Sequence, residues 1–307
     1  MGKFNLELLL FRYQPLKIIL HFENKKAPSW GKIQEMQSSF YLFIFAFTTL
    51  FIILGASLSG RGDRSGKDYS LAGRSLSSTS VSWVIIGTLV GGASTIGTVQ
   101  MAYSFGFAAC YFTLGSGFAC LFLALFFSKP LRRAEVSTIA EFLGRYLGLR
   151  FRKYASALTS LGIFVHVIAQ FIAAMAILKS VWGFSGGSAI FVVFLLHLVI
   201  VALGGIRGAA SLGKAKAILL YFLLGISALY VLITAGGFQG LWSELPPGPI
   251  GFWSYGLRLG FIDLFSVVLG VLSTQTYLQA LFSASSADAA RKGAFLSALL
   301  IPPLGFL

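Results

Sequence analysis

Charged residues are scarce in this chain. They make up 11% of its 307 residues, against about 25% in an average soluble domain. Hydrophobic residues make up 56%. This balance excludes an ordinary soluble domain and predicts an all-α polytopic membrane protein, because helices satisfy their own backbone hydrogen bonds in lipid.

Cysteine is nearly absent. The two cysteines, Cys110 and Cys120, lie in one apolar run and project from different turns of one helix. They therefore predict neither a disulfide framework nor a metal site. No short apolar core near the N-terminus precedes a small-residue cleavage site, so a cleavable signal peptide is not predicted either.

Catalytic patterns are also missing. The apolar runs contain no paired carboxylates, no cluster of His and Cys, and no Ser with a nearby base. Their glycine-rich segments lack the Lys-Ser/Thr that completes a phosphate loop. We therefore predict that the protein is not an enzyme. The net charge of +14 lies mainly between the apolar runs, which indicates membrane topology and not nucleic-acid binding.

About eight apolar stretches predict transmembrane helices, since about 20 residues at 1.5 Å each cover a ~30 Å hydrocarbon core. Residues 1–39 form a polar tail, and Met36 near its end suggests an over-extended start. We expect a tail, 1–39, and a transmembrane domain, 40–307. The predicted spans are 40–58, 83–103, 107–127, 155–181, 188–203, 217–236, 259–282 and the residues from 293 onward.

Lys and Arg concentrate in the connections after the first, third, fifth and seventh spans. The third of these connections is a predicted loop that contains Arg207, Lys214 and Lys216. The positive-inside rule places such loops in the cytoplasm, so the chain is predicted to start outside the plasma or inner membrane. In the connection after the third span, Thr138 and Glu141 form a capping-box pattern that opens a short amphipathic helix at the membrane surface.

Small and hydroxyl residues fill the middle of the second span. Residues 91–98 read Gly-Gly-Ala-Ser-Thr-Ile-Gly-Thr, where a lipid-facing helix would carry Leu, Ile or Phe. Glycine costs about 1 kcal/mol relative to alanine in a helix. Two explanations are open: close packing, with Gly87 and Gly91 in a GxxxG pattern, or an interrupted helix whose freed carbonyls bind an ion.

Several segments resemble the sodium:solute symporter family, in the same order along the chain and from residue 40 to its C-terminus. They are Asp68-Tyr-Ser-Leu-Ala-Gly-Arg-Ser-Leu76, Gly91-Gly-Ala-Ser-Thr-Ile-Gly-Thr98, Lys129-Pro-Leu-Arg132, Thr138-Ile-Ala-Glu-Phe-Leu-Gly-Arg145 and Ser273-Thr-Gln-Thr-Tyr-Leu-Gln-Ala-Leu-Phe-Ser-Ala284. The resemblance implies a LeuT-like fold of two inverted five-helix repeats with one extra helix in front.

On that pattern the second to sixth spans form a complete first repeat, and the seventh opens a second repeat that is cut short. The family's helix that supplies serine and threonine oxygens to the sodium site would follow Leu307. The resemblance therefore implies a C-terminally truncated member. It would hold only half of a sodium site.

The resemblance also implies the ligands of that half-site. The backbone carbonyls of Ala93 and Ile96 would coordinate Na⁺, and no organic cofactor is expected. Thr95 stands where some relatives carry an aspartate and offers only a hydroxyl, which puts charge-assisted binding in doubt. Whether a proton replaces sodium stays open.

Polar side chains in two spans are candidate solute contacts, with Gly270 as the expected break point of the seventh span. An alternative is that the hydroxyls bond back to their own helices and that Gln275 is merely solvated. The candidates are Ser94, Thr95, Thr98 and Gln100 in the second span and Ser273, Thr274 and Gln275 in the seventh.

Three further residues are candidates for gating or for a polar network. His166 and Gln170 are four residues apart and share one helix face, although a lone His is usually a packed, hydrogen-bonded group. Asp263 lies near the outer end of its span, where it gates, pairs with Arg258, or is solvated.

The function implied by the resemblance is sodium-coupled symport of a small polar solute by alternating access. Its partners would be the solute, sodium and the lipid bilayer, without nucleic acid. Two alternatives stay open: a membrane-embedded solute sensor domain of a histidine-kinase-type receptor, and a nonfunctional truncated remnant. Amino acid, sugar, carboxylate and vitamin transporters share this framework, so the resemblance selects no substrate.

Overall fold

The computed structural model describes residues 66–244, 251, 254 and 256–307. This part is helical, with one isolated bridge between Leu76 and Ala284. The predicted tail, 1–39, and first span, 40–58, lie outside the described residues. The α-helices are α1 Gly66–Leu71, α2 Ser78–Leu89, α3 Gly92–Phe105, α4 Cys110–Phe122, α5 Ser128–Arg133, α6 Ile139–Leu147, α7 Leu149–Trp182, α8 Gly186–Thr234, α9 Gly237–Glu244, α10 Leu257–Ser273, α11 Gln275–Phe282 and α12 Ala287–Leu300.

Short helical pieces of other types join some of these helices. A 3-10 turn at Gly106–Ala109 leads from α3 into α4, and a π-helical turn at Leu123–Phe127 joins α4 to α5. Further 3-10 turns lie at Ala72–Arg74 and Pro302–Gly305. The chain from α3 to α5 is therefore one nearly continuous helical segment.

The predicted helix at the third connection is confirmed. Thr138 Oγ1 accepts the backbone N–H of Glu141 at 3.1 Å, and Glu141 Oε2 accepts the N–H of Ser137 at 2.9 Å. These reciprocal bonds satisfy N–H groups that a helix start leaves unpaired. The capping box thus begins α6 where the sequence predicted it.

Long apolar helices support the prediction of a polytopic membrane protein. Within the described residues, three helical segments are long and apolar enough to cross a membrane: Ser94–Arg133, Leu149–Ser180 and Gly204–Thr234. The bent pair α10 and α11 adds a fourth. In the most apolar windows of the second and third segments, 11% and 6% of residues are buried, against 56% in the first. The apolar surfaces of α7 and α8 are thus available for lipid contact.

The predicted loop between the fifth and sixth spans is shorter than expected. Within α8 two helices, Gly186–Val199 and Gly204–Thr234, meet at a kink, where Gly205 is non-helical with φ 50° and ψ −159°. A Cβ at Gly205 would lie 2.8 Å from the Tyr69 carbonyl oxygen, so glycine is required there for close approach as well as for conformation. Lys214 and Lys216 are consequently helical residues inside a candidate span.

Helix α2 lies at the centre of the packing, in contact with α8, α11 and α12. Its Val81 and Ile85 are fully buried. Ser297 of α12 donates to Ser82 Oγ at 3.1 Å, and a Cβ at Gly293 would lie 2.6 Å from Val81 Cβ. These close contacts fix the position of α2, which ends at Leu89 inside the second predicted span.

Candidate functional site

The second predicted span is interrupted. Helix α2 ends at Leu89, and α3 begins at Gly92. Between them, Val90 has φ −83° and ψ 72° and Gly91 has φ −88° and ψ 178°, so the backbone is extended for a short distance. The interrupted-helix prediction is therefore confirmed as to backbone. Ion binding at the interruption stays a prediction.

Close packing of the same glycines is also observed. A Cβ at Gly91 would lie 2.7 Å from Gln170 Oε1 of α7, and one at Gly87 would lie 2.5 Å from the Gly213 Cα of α8. The two glycines of the GxxxG pattern thus face two different helices. The two explanations offered by the sequence are not exclusive, since the segment both breaks and packs.

The interruption changes which carbonyls are paired. In a regular helix the Gly91 N–H would donate to Gly87, but here it donates to the Leu89 carbonyl at 3.0 Å. The Gly87 carbonyl instead accepts a hydrogen bond from Lys216 Nζ at 3.1 Å. Lys216 is a polar contact that the sequence prediction missed, because it was assigned to a loop. The available signal was its position three residues after Gly213. In a helix the two residues share a face, so Lys216 lies beside a glycine that permits close packing of another helix.

The hydroxyl groups after the break bond to their own helix. Ser94 Oγ donates to the carbonyls of Leu89 and Gly91, at 3.3 and 2.8 Å. Thr95 Oγ1 lies 3.1 Å from the Gly91 oxygen, and Thr98 Oγ1 lies 2.6 Å from the Ser94 oxygen. Bonding of the hydroxyls to their own helix was the predicted alternative to contact with a solute. Each hydroxyl oxygen keeps lone pairs for a cation or a solute donor.

The two predicted sodium ligands lie at the start of α3. Ala93 is in its first turn and Ile96 in its second, while the break itself precedes Ala93. Farther along α3, Gln100 is exposed. A Cβ at Gly97 would meet no described residue within 4 Å, so the described part of the chain leaves space beside the helix between these residues.

A second interruption separates α10 from α11, which meet at an angle of 46°. It falls at Thr274, with φ −83° and ψ 122°, so the expected break at Gly270 was placed four residues too early. The Gly270 carbonyl accepts bonds from the Thr274 N–H at 3.0 Å and from its hydroxyl at 2.6 Å. Ser273 Oγ bonds back to the Leu269 carbonyl at 2.8 Å.

Gln275 joins this second break to α6. Its Oε1 accepts the Ile139 N–H at 2.8 Å, and its Nε2 donates to the Ser137 carbonyl at 3.2 Å. One turn later, Gln279 Nε2 donates to the Ser70 carbonyl at 2.7 Å. The structure therefore brings Gln275 to the connecting segments of the chain and not beside α3.

The remaining candidates are dispersed. Gln170 lies against the first break, as described, whereas His166 has no hydrogen bond to any residue in the described part of the chain. His197 of α8 lies beside Phe171 of α7, with ring centroids 5.0 Å apart and the rings tilted by 34°. Among the described residues, Asp263 forms no ion pair with Arg258.

Known proteins share this sequence pattern. A model of the sodium:solute symporter family matches residues 69–302. Among curated proteins, the chain is 24% identical over 186 residues to the uncharacterized symporter YwcA of Bacillus subtilis (strain 168). That similarity covers 60% of this chain and 36% of the relative. The matched part thus spans about a third of the length of that protein.

Proposed function

Because the chain belongs to the sodium:solute symporter family, we propose that it couples sodium entry to the uptake of a small polar solute by alternating access. The interruption between α2 and α3 is the single observation that carries this proposal. Interrupted helices with unpaired backbone groups are how transporters build ion and substrate sites at mid-membrane. Sodium entry at 100 mV supplies about 2.3 kcal/mol per charge.

The ion site of the proposal lies in the first turns of α3. The carbonyls of Ala93 and Ile96 are two of its ligands, and Na⁺ is the transported ion. Hard oxygen ligands suit such a cation. The hydroxyl of Thr95, already close to two backbone oxygens at 3.1 and 3.0 Å, adds an oxygen nearby but no charge.

The solute contacts of the proposal come first from α3. Ser94, Thr98 and Gln100 follow the break, and Gln170 of α7 covers it from the other side. His166 lies one turn before Gln170 and extends this polar surface. Ser273, Thr274 and Gln275 of the second break, together with Asp263, act in gating when the two interrupted helices move.

The architecture of the proposal is LeuT-like. The helices from α2 to α8 make up the first inverted repeat, and α10 with α11 opens the second, in a domain that extends over 40–307. The basic connections are cytoplasmic and the N-terminus is outside a plasma or inner membrane. Both comparisons name symporters, which favours transport over the sensor-domain alternative.

Uptake by the reconstituted full chain tests the proposed function. Proteoliposomes with an inward sodium gradient are supplied with radiolabelled proline, glucose, acetate or pantothenate, one for each solute class. One of these is expected to accumulate several-fold more with sodium than with choline. Equal accumulation of all four in sodium and choline would contradict sodium coupling.

Two matched glycine variants test the position of the ion site. Cβ atoms at Gly97 and Gly270 would both lie more than 4 Å from every described residue, so the described structure accepts a larger side chain at each. Gly97→Leu is expected to weaken sodium binding at least about tenfold, or 1.4 kcal/mol, because it fills space beside the predicted ligands. Gly270→Leu is expected to leave it unchanged. Radiolabelled-sodium binding measures both, and equal effects would contradict the placement in α3.

A further inference from the structure

A lysine inside a candidate span contacts the first break. Lys216 lies within Gly204–Thr234, a segment long and apolar enough to cross a membrane. Charged residues at such positions are costly and are found paired or bonded to backbone carbonyls. Lys216 Nζ meets this requirement with the Gly87 carbonyl, 3.1 Å away.

The Gly87 carbonyl is available because of the break. The Gly91 N–H, which would pair with it in a continuous helix, donates to Leu89 instead. Gly87 also lies in the last turn of α2, where the helix dipole places partial negative charge. A cation at this position therefore gains both a hydrogen bond and a favourable field.

Two glycines bring the ammonium within reach. Gly87 and Gly213 meet backbone to backbone, and a Cβ at Gly87 would lie 2.5 Å from the Gly213 Cα. Lys216 is three residues after Gly213, on the same face of α8 and one turn along. The lysine side chain thus crosses from α8 to the carboxyl end of α2 because nothing larger than glycine separates the two helices.

A second carbonyl released at this end, that of Leu89, also has donors within the protein. Leu89 accepts bonds from the Gly91 N–H at 3.0 Å and from Ser94 Oγ at 3.3 Å. The carbonyls of Gly87 and Leu89 therefore accept hydrogen bonds from a lysine ammonium, a serine hydroxyl and the backbone N–H of Gly91.

We propose that the Lys216 ammonium is a built-in cation that caps the carboxyl end of α2. When the lysine side chain is removed, the same position binds a small monovalent cation. The inference goes beyond the proposed function, since it concerns the α2 side of the break and a cation that is not transported. It leaves the α3 side to the transported sodium. Removing the ammonium leaves the Gly87 carbonyl without its donor, and an external cation then has a place to bind.

Chemical rescue tests this proposal. Lys216→Ala in the purified full chain is expected to lose roughly 5 °C of Tm, and methylammonium or sodium should restore most of that loss, beyond the change in Tm that the same ion causes in the wild type. Choline carries no N–H donor and is too large for the position, so it should restore nothing and controls for ionic strength. No selective restoration by methylammonium or sodium would overturn the proposal.

Two further variants keep the test decisive. Lys214→Ala removes an exposed lysine from the same helix, and its Tm should respond to each cation as the wild-type Tm does. Lys216→Ser also vacates the ammonium position but keeps a small polar side chain, so it serves if the alanine variant does not fold. The same selective rescue is expected for it, and its absence would overturn the proposal. Because the readout is thermal unfolding, its failure is distinct from a failure of sodium-driven uptake.

Discussion

The two interrupted helices share a backbone feature but have different surroundings. The break between α2 and α3 is covered by side chains of other long helices, Gln170 from α7 and Lys216 from α8. The break between α10 and α11 is bonded through Gln275 to Ser137 and Ile139, at the start of the short helix α6, which lies in the connection after the third predicted span. One is enclosed by candidate spans, and the other is tied to the segments that join them.

Hydroxyl content does not distinguish these breaks. Thr95 and Thr98 bond back to α3, and Ser273 and Thr274 bond back to α10 in the same way. What differs is the long-range partner. Enclosure among apolar helices strengthens interactions with an ion, whereas bonds to a connecting segment suit a hinge that moves with it. The comparison therefore favours the first break as the ion site and the second as a moving joint.

The largest effect is expected where the first break depends on glycine packing. A Cβ at Gly213 would overlap the Trp83 carbonyl oxygen, so Gly213→Ala forces α8 away from α2 and should destabilise the protein by about 3 kcal/mol. Gly225→Ala, on the same helix but with no described residue within 4 Å of its Cβ, should be neutral or slightly stabilising. Thermal unfolding measures both. Similar Tm values for the two variants would refute the tight contact.

A smaller effect is expected at the second break. Gln275→Leu removes two hydrogen bonds to the start of α6 and should cost about 1–3 kcal/mol, since it leaves polar backbone groups unpaired. Gln275→Glu keeps an acceptor for the Ile139 N–H but loses the donor to Ser137, so its cost should be intermediate. Denaturation gives the order of the three proteins. A leucine variant as stable as the wild type would show that this break is not held by Gln275.

The smallest effect is expected at the N-cap of α6, the helix whose first residue is hydrogen-bonded to Gln275. Thr138→Ala removes the N-cap of α6, worth about 1 kcal/mol, and loosens the segment that Gln275 holds. Thr138→Ser keeps the capping oxygen and is the control. Amide hydrogen exchange in α6 should be faster in the alanine variant only. Equal exchange in both variants would mean that the cap does not order this segment.

Much of the fold follows from local sequence patterns. Apolar runs predicted the helices around α3, α4, α7 and α8, and the capping residues Thr138 and Glu141 predicted the start of α6. The glycine-rich stretch 91–98 left close packing and an interruption as two open explanations, because glycine weakens a helix, and the observed break falls at its first residue. These properties depend on neighbours within a few residues, which a sequence displays directly.

The errors arose where a distant partner decides the structure. Lys214 and Lys216 indicated a loop because charges are costly in a span, but the Gly87 carbonyl gives Lys216 a partner from another helix. Gly270 was the expected break point, yet α10 continues to Ser273 and the break falls at Thr274, next to a glutamine that is bonded to α6. Such pairings join residues far apart in the chain, and single-sequence patterns do not reveal them.

Sodium protection of a cysteine at each break tests the central claim most directly. Thr98→Cys and Ser273→Cys are introduced separately, and both are labelled with a maleimide with and without sodium. The native Cys110 and Cys120 are buried and serve as the background in the wild-type protein. Sodium is expected to slow labelling at position 98 several-fold more than at position 273. Equal protection at both positions, or stronger protection at 273, would contradict the assignment of the ion site to the first break.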